Sequence, residues 1–273
     1  MNNELKTLGF KAGTGFFYDL NATSKLLFFL IVSVSCMMTY DTRFLAFVAI
    51  FSIICFNRSK ISFATVKTAV TFMVIFALLN LVFVFLFDMH YGNRLYGAST
   101  PLFGWLTQQE AFYLFNLLLK YFCTIPLALL FILTTNPSQF ASSLNQIFVP
   151  YKPAYAVSLA LRYIPDIQEK FLAIRNAQMA RGVDLSKKAS LLKRIRINIF
   201  LLLPLVFSSL NQIDTVSTAM ELRRFGRGKK RTWYNAQAYV VKDLLTIAFA
   251  VILLLIVIAL FWVNQGRFFN PWR

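Results

Sequence analysis

The sequence predicts an all-α integral membrane protein with about five transmembrane helices and a set of long amphipathic helices in the cytoplasm. Three observations predict this fold class. Hydrophobic residues make up 58% of the 273 residues and charged residues only 14%, whereas an ordinary soluble domain has about a quarter charged residues. Uncharged stretches of about twenty residues recur along the chain. The formal charge of +17 is concentrated in a few segments, as in membrane proteins that follow the positive-inside rule.

The spans are predicted from the uncharged stretches, because a bilayer core about 30 Å thick needs roughly 20 apolar helical residues. Thr68–Phe87 and Leu244–Val263 contain no charged residue. Ala111–Thr135 is a third apolar stretch, and Lys120 is its only charge. Leu26–Phe56 is long and apolar with one short polar interruption, so we interpret it as two short spans joined by a tight turn.

The Lys and Arg residues outside the spans predict the orientation. Segment 136–238 carries 16 Lys and Arg against five Asp and Glu, and the N-terminus and the loop after the second span are also basic. With five spans these regions lie on one side, which places the N-terminus in the cytoplasm. We therefore divide the chain into an N-terminal membrane domain of four spans (1–135), a cytoplasmic helical region (136–238) and a C-terminal span with a short outer tail (239–273).

The region 136–238 has the pattern of amphipathic helices. Apolar residues recur at steps of three and four over 157–174, with charged residues between them. The uncharged stretch Ile199–Phe207 is too short to span, and the apolar stripe continues to Met220. Such helices either lie in the headgroup plane or pack together and present their ends to a soluble partner. Two long helices that both end in an Arg-containing turn favour the second arrangement.

The two Arg-containing turns are the candidate docking site. Their residues are Ala180, Arg181, Gly182, Arg223, Arg224, Phe225 and Gly226. A glycine after a helical arginine stops the helix, and the arginine complements the negative end of the helix dipole. The planar guanidinium fits a carboxylate, so two such tips match a pair of acidic grooves. Each motif alone is also typical of an ordinary capped helix end.

Together the two motifs resemble the paired Ala-Arg-Gly signatures of the transmembrane T component of energy-coupling factor (ECF) transporters, the EcfT/CbiQ family. The segment Tyr18–Leu27 is similar to the family's Leu-Asp-Pro-Arg-Thr-Lys-Leu-Leu entry into its first span, although it lacks the Pro and the Arg. Asn136–Gln139 and Leu161–Pro165 are similar as well. Arg224 stands where the family usually has Gly, so we expect Gly226 to replace that Gly as the cap.

This resemblance implies a non-catalytic subunit in a bacterial or archaeal cell membrane that binds no cofactor or metal itself. T components bind two ABC-type ATPases through the Arg tips of coupling helices, and these partners use the ATP. They also bind a small membrane S component that captures a vitamin or metal ion and sets the cargo, which the sequence therefore does not name. We interpret the basic run Gly226–Arg231 as a positive-inside anchor and predict no nucleic-acid partner.

Three other interpretations concern the membrane part. A conventional permease that translocates solute itself is the alternative function; it predicts polar groups lining several spans, and the spans contain few. A membrane enzyme needs clustered His, Asp or Glu, but the single histidine, His90, is interpreted as a polar loop residue. Lys120 is a possible functional residue within a span, either hydrogen-bonded inside the bundle or in contact with the S component.

Overall fold

The computed structural model describes residues 15–59, 61, 63–88, 90–97, 100–103, 106–147, 149–182, 191–228, 233 and 238–271. Ten helices and two short strands lie in these ranges. The elements are α1 (Phe16–Asp19), α2 (Ala22–Met38), α3 (Thr42–Arg58), α4 (Phe63–Phe87), α5 (Tyr91–Tyr96), β1 (Pro101–Phe103), β2 (Leu106–Thr107), α6 (Gln108–Thr134), α7 (Pro137–Gln146), α8 (Tyr151–Ala180), α9 (Leu191–Leu222) and α10 (Val241–Val263). Lys6, Lys11 and Lys60, which contribute to the predicted orientation, lie outside the described residues.

The predicted all-α membrane fold is confirmed. Three of the predicted spans lie in α4, α6 and α10, which are long and apolar enough to cross a bilayer. The predicted pair of short spans is α2 and α3, each of 17 residues and hence about 26 Å long at 1.5 Å per residue. Three residues join them, as expected for a tight turn. The sequence did not predict α5 or the small antiparallel ribbon of β1 and β2.

Helix α9 differs from its prediction in one respect. The sequence predicts no span here, because Ile199–Phe207 has only nine residues, although it predicts that the apolar stripe continues to Met220. In the structure α9 is a single helix of 32 residues that continues through Pro204, and by length and composition its part Ile199–Leu222 is a fourth candidate span. The polar residues beyond Phe207 do not end the helix, and no charge occurs between Arg196 and Asp214.

The described residues form two compact units. The flanking unit consists of the described residues of 9–136 and 237–273, and the central unit of those of 137–236. In the flanking unit, α3 packs on α6 and α2 packs on α10 and α6. Their shared core is apolar and includes Val32, Leu45 and Leu253, none more than 2% exposed.

Side-chain caps mark the start of α2 and α3 in the flanking unit. The Asn21 side chain accepts a hydrogen bond from the Thr23 amide before α2, and the Asp41 carboxylate accepts one from the Arg43 amide before α3. Such caps satisfy amides that have no partner within the helix. Asp41 also accepts from the Asn264 side chain at 2.8 Å, so one buried carboxylate joins the start of α3 to the end of α10.

The central unit contains α7, α8 and α9. Helix α8 packs on both α7 and α9, and the assigned helix is continuous through Pro165. The Lys170 ammonium on α8 donates to the Gln212 side chain on α9. Near the start of α8, Tyr155 contacts Phe225, which follows the end of α9. These two contacts show that α8 and α9 run antiparallel.

Candidate functional site

The first tip follows the end of α8 and is open to its surroundings. The Arg181 amide donates to the Ala177 carbonyl at 3.2 Å, and the Gly182 amide donates to the Met179 carbonyl at 3.0 Å. Gly182 has a φ of 82°, the left-handed conformation that glycine adopts without a steric penalty. Ala180, Arg181 and Gly182 are all exposed. The predicted glycine cap that ends this helix is therefore present.

The second tip shares with the first the bond from the left-handed residue to the carbonyl three residues before it. The Arg224 amide donates to the Glu221 carbonyl at 2.8 Å, and the Phe225 amide donates to the Met220 carbonyl at 2.9 Å. This pair of bonds is the Schellman motif, in which the residue after the C-cap is left-handed. Arg224 is that residue, with a φ of 56°. Arg223 thus has the same position relative to its helix end as Arg181 has to the first.

The expectation that Gly226 replaces the missing glycine as the cap is wrong. Arg224 itself takes the left-handed conformation, at a cost of about 1–2 kcal/mol for a residue with a side chain. Gly226 is also left-handed, with a φ of 91°, but it lies two residues further on and directs the chain beyond the cap. The sequence predicts that Gly226 takes over the capping role of the missing glycine. Instead, the amide bonds of Arg224 and Phe225 hold Arg224 as the left-handed residue.

Phe225 lies against the start of α8 and is half-buried, whereas Arg223 and Arg224 are exposed. Its ring centroid is 4.8 Å from that of Tyr155 and 5.7 Å from that of Tyr151. Tyr155 in turn contacts Trp233 at 6.2 Å, and the Trp233 indole donates to the Asn145 side chain at 3.0 Å. Aromatic pairs at these distances contribute about 0.5–1.5 kcal/mol each beyond burial.

The sequence predicts Phe225 as a docking residue and does not reveal its aromatic neighbours. Tyr151 and Tyr155 are four residues apart, so they lie on one face of a helix. That spacing was the available signal, but nothing in the sequence identified the partner of this face. We call the group Tyr151, Tyr155, Phe225 and Trp233 the aromatic anchor.

The two tips lie at opposite ends of the helix pair. Phe225 contacts Tyr155, and Arg181 follows the far end of the same helix. At 1.5 Å per residue, Tyr155 and Arg181 are separated by about 39 Å along α8. Between the tips, α8 and α9 line a groove of about 420 Å³ that includes Tyr163 and Gln212.

The middle of α9 carries a broad exposed apolar surface. The exposed residues are Ile199, Phe200, Leu202, Leu203, Val206, Phe207, Leu210 and Ile213. A contiguous apolar surface of this kind is typical of a protein or membrane contact. The central unit therefore combines exposed arginines at its two tips with an apolar face between them.

Lys120 lies inside the flanking unit and is 4% exposed. Its ammonium donates to the Met37 carbonyl at 3.1 Å and lies 3.3 Å from the centroid of the Tyr40 ring. A hydrogen bond and a cation–π contact both stabilise a charge away from water. Of the two alternatives for this residue, the structure shows the bond within the bundle.

Acidic and metal-binding side chains are sparse in this arrangement. Among the described residues, no group of three or more His, Cys, Asp or Glu could hold a metal ion. His90 is exposed at the start of α5, in the loop region where the sequence placed it.

Comparison with known proteins agrees with the geometry. The family described as cobalt transport protein, CbiQ, matches residues 15–234. The energy-coupling factor transporter transmembrane protein EcfT of Streptococcus thermophilus is 27% identical over 243 residues, which cover 86% of this chain and 90% of that protein. The EcfT proteins of Exiguobacterium sibiricum and Bacillus subtilis are 29% and 31% identical over 60% and 50% of this chain. Those two matches cover 65% and 54% of the relatives' own lengths.

The family match begins at the residue before α1 and ends after the aromatic anchor, so it includes both tips and most of both units. This extent agrees with the resemblance found in the entry segment and the two tips. The chain therefore belongs to the CbiQ/EcfT family of transmembrane transport proteins.

Proposed function

We propose that this chain is the transmembrane coupling subunit of an ECF-type importer. In this proposal two ABC-type ATPases bind the tips at Arg181 and Arg223, and a small membrane S component delivers a vitamin or metal ion. The chain performs no catalysis, and its partners hydrolyse the ATP. The N-terminus and the central unit face the cytoplasm of a bacterial or archaeal cell, where the ATPases are located.

The matched geometry of the two tips is the observation that supports this proposal most. Each long helix ends with an arginine at the C-cap, followed by a left-handed residue. A separation of about 39 Å along α8 lets two globular partners bind at once without sharing a surface. Guanidinium groups at such ends suit bidentate binding to carboxylates.

The exposed apolar surface of α9 supports the membrane part of the proposal. Neither water nor a soluble ATPase is a favourable neighbour for eight large apolar side chains. A membrane-embedded S component or the lipid itself is a favourable neighbour for such a surface. We assign this surface to the S component and its surrounding lipid, and the arginine tips to the ATPases.

Affinity purification of the tagged chain from its host membrane, with mass-spectrometric identification of bound proteins, tests the proposal. We expect two ABC-type ATPases and one small apolar membrane protein. Arg181→Ala and Arg223→Ala should each lower the co-purified ATPase at least about tenfold, since truncating one partner of a buried charge pair costs about 2–5 kcal/mol.

Arg175→Ala is the matched control, because Arg175 is an exposed arginine on α8 less than two turns before the first tip. It should leave the amount of bound ATPase unchanged. Equal recovery of ATPases by wild type, Arg181→Ala and Arg223→Ala would show that the tips are not the docking site.

A further inference from the structure

A buried lysine at the start of α2 holds together parts of the flanking unit that are far apart in sequence. Lys25 is only 4% exposed, and its ammonium donates to the backbone carbonyl of Thr134 at 3.0 Å. Thr134 is the last residue of α6. The final carbonyls of a helix have no partner within it, so Lys25 binds a group that would otherwise be unsatisfied and negatively polarised.

The same segment of α2 also holds the start of α10 through Asp243, which is 1% exposed. One carboxylate oxygen of Asp243 accepts from the Asn21 amide at 2.8 Å. The other accepts from the Val240 amide, also at 2.8 Å. Lys25 and Asp243 are thus two buried residues of opposite charge, and each has a hydrogen bond that joins the start of α2 to another helix.

These contacts occur at the two places where the chain passes between units. Thr134 lies three residues before Pro137, where the described part of the central unit begins, and Val240 follows the last residues of that unit at 236. Both connections are therefore fixed to one turn, residues 21–25, of a third helix. Charged hydrogen bonds therefore hold the backbone at both connections, where a helix end without such partners would fray.

We propose that Lys25 is a positioning residue that transmits movement of the central unit to the membrane helices. This inference rests on the proposed coupling function. Lys25 fixes the end of α6 to the first turn of α2, and Asp243 fixes the start of α10 to the same turn. Both helices therefore respond together when the ATPases move α8 and α9. Without Lys25, the last turn of α6 unwinds locally and absorbs the motion.

The test uses the purified complex in lipid nanodiscs, with Mg-ATP and vanadate as the probe that traps the ATPases. Deuterium uptake is measured in peptides from the end of α6 and the start of α10. In wild type, trapping changes the uptake of both peptides. In Lys25→Met this change falls at least about twofold, the lower end of what substitutions along coupling networks produce, while ATPase binding stays at the wild-type level.

Lys242→Met is the matched control. Lys242 lies at the start of α10, its side chain is 54% exposed, and it is 3.9 Å from the Asp19 carboxylate. The same charge is therefore removed close by, without a buried bond being lost, and the response to trapping should persist. Lys25→Arg retains a charged donor and should restore part of the response. A full response in Lys25→Met overturns the proposal.

A double variant separates transmission from simple charge balance. Lys25→Met with Asp243→Asn removes both buried charges, which restores abundance if the single variant is unstable because Asp243 is left without its opposite charge. The bond to Thr134 is still absent, so the response to trapping should remain low. Recovery of both abundance and response would show that Lys25 only balances charge.

Amide exchange in the unaltered complex tests the proposal without any variant. In the unaltered complex, the amides of Asn21, Thr135 and Val240 should exchange slowly, because the helix ends are held; fast exchange contradicts the proposal even if neither variant accumulates. This measurement does not depend on ATPase binding. Loss of ATPases from the wild-type chain would instead contradict the proposed function, so the two failures are distinguishable.

Discussion

The two tips of the central unit both have a left-handed residue after the arginine at the C-cap, but their supports differ. At the first tip, a Cβ added to Gly182 would meet no described atom within 4 Å, and the residues from Ala180 to Gly182 are exposed. At the second tip, Phe225 and Gly226 are half-buried. Phe225 lies on two tyrosines, and Gly226 approaches the Lys152 side chain.

Among the described residues, one arginine is thus supported by a helix end and the other by a packed cluster as well. The position of Arg181 depends on α8 and on its cap. The position of Arg223 depends in addition on the aromatic anchor, which joins the end of α9 to the start of α8. Substitutions in the anchor should therefore affect the second tip selectively.

The largest expected effect is that of Phe225→Ala. Loss of the half-buried ring should lower the free energy of unfolding by about 2 kcal/mol, less than the 3–5 kcal/mol expected for a fully buried phenylalanine. Thermal unfolding in detergent, followed by Trp fluorescence, measures the loss. Binding of ATPase to the second tip should fall as well, since Arg223 loses its fixed position.

Phe207→Ala is the control for this substitution, because Phe207 is 60% exposed on the same helix. It should change stability by no more than about 0.5 kcal/mol. If Phe225→Ala is equally mild, the aromatic anchor does not hold the second tip and the contrast between the tips is lost.

The next effect compares the glycines of the two tips. Gly182→Ala and Gly226→Ala each place a side chain at a left-handed φ, which should cost about 1 kcal/mol or somewhat more in both cases. Of the described side chains, Lys152 is the one that a Cβ on Gly226 would contact, at 3.8 Å, and a Cβ on Gly182 would contact none within 4 Å. Equal losses of melting temperature are expected, and a much larger loss in Gly226→Ala would mean that Lys152 cannot move aside.

The smallest effect is a gain from Arg224→Gly. Glycine removes the left-handed penalty but adds disorder to the unfolded chain, so the net stabilisation should be about 0.5 kcal/mol. Arg224→Ala provides the comparison, because it removes the same charge and keeps the penalty. Unfolding of the glycine variant at or below the temperature of the alanine variant would contradict the strained conformation assigned to Arg224.

The long apolar helices were predictable because their signal is carried by composition. Twenty residues without a charge predict a span whatever packs against them, and the stretches within α4 and α10 satisfy that condition. The ends of α8 and α9 were predictable for a similar reason, since Arg-Gly and Arg-Arg-Phe-Gly follow apolar stripes. Each of these signals is local in sequence.

The remaining features depend on contacts between distant residues, which a single sequence does not reveal. The ring of Phe225 has its neighbours about seventy positions earlier, and the carboxylate of Asp243 accepts from an amide 222 positions away. The cap at Arg224 was missed for another reason. A glycine preference is a statistical rule, and here the backbone bonds of Arg224 and Phe225 and the contacts of the Phe225 ring accompany an arginine in that conformation.

The buried ammonium of Lys120 has a consequence for the way α6 sits among its neighbours. A turn of α6 by one residue, about 100°, would carry the charge away from Met37 and Tyr40 and towards lipid, at a cost of about 3 kcal/mol or more. This cost favours a single rotation of α6 about its own axis. Both groups that receive the charge precede it in the chain, so they are synthesised before the lysine that needs them.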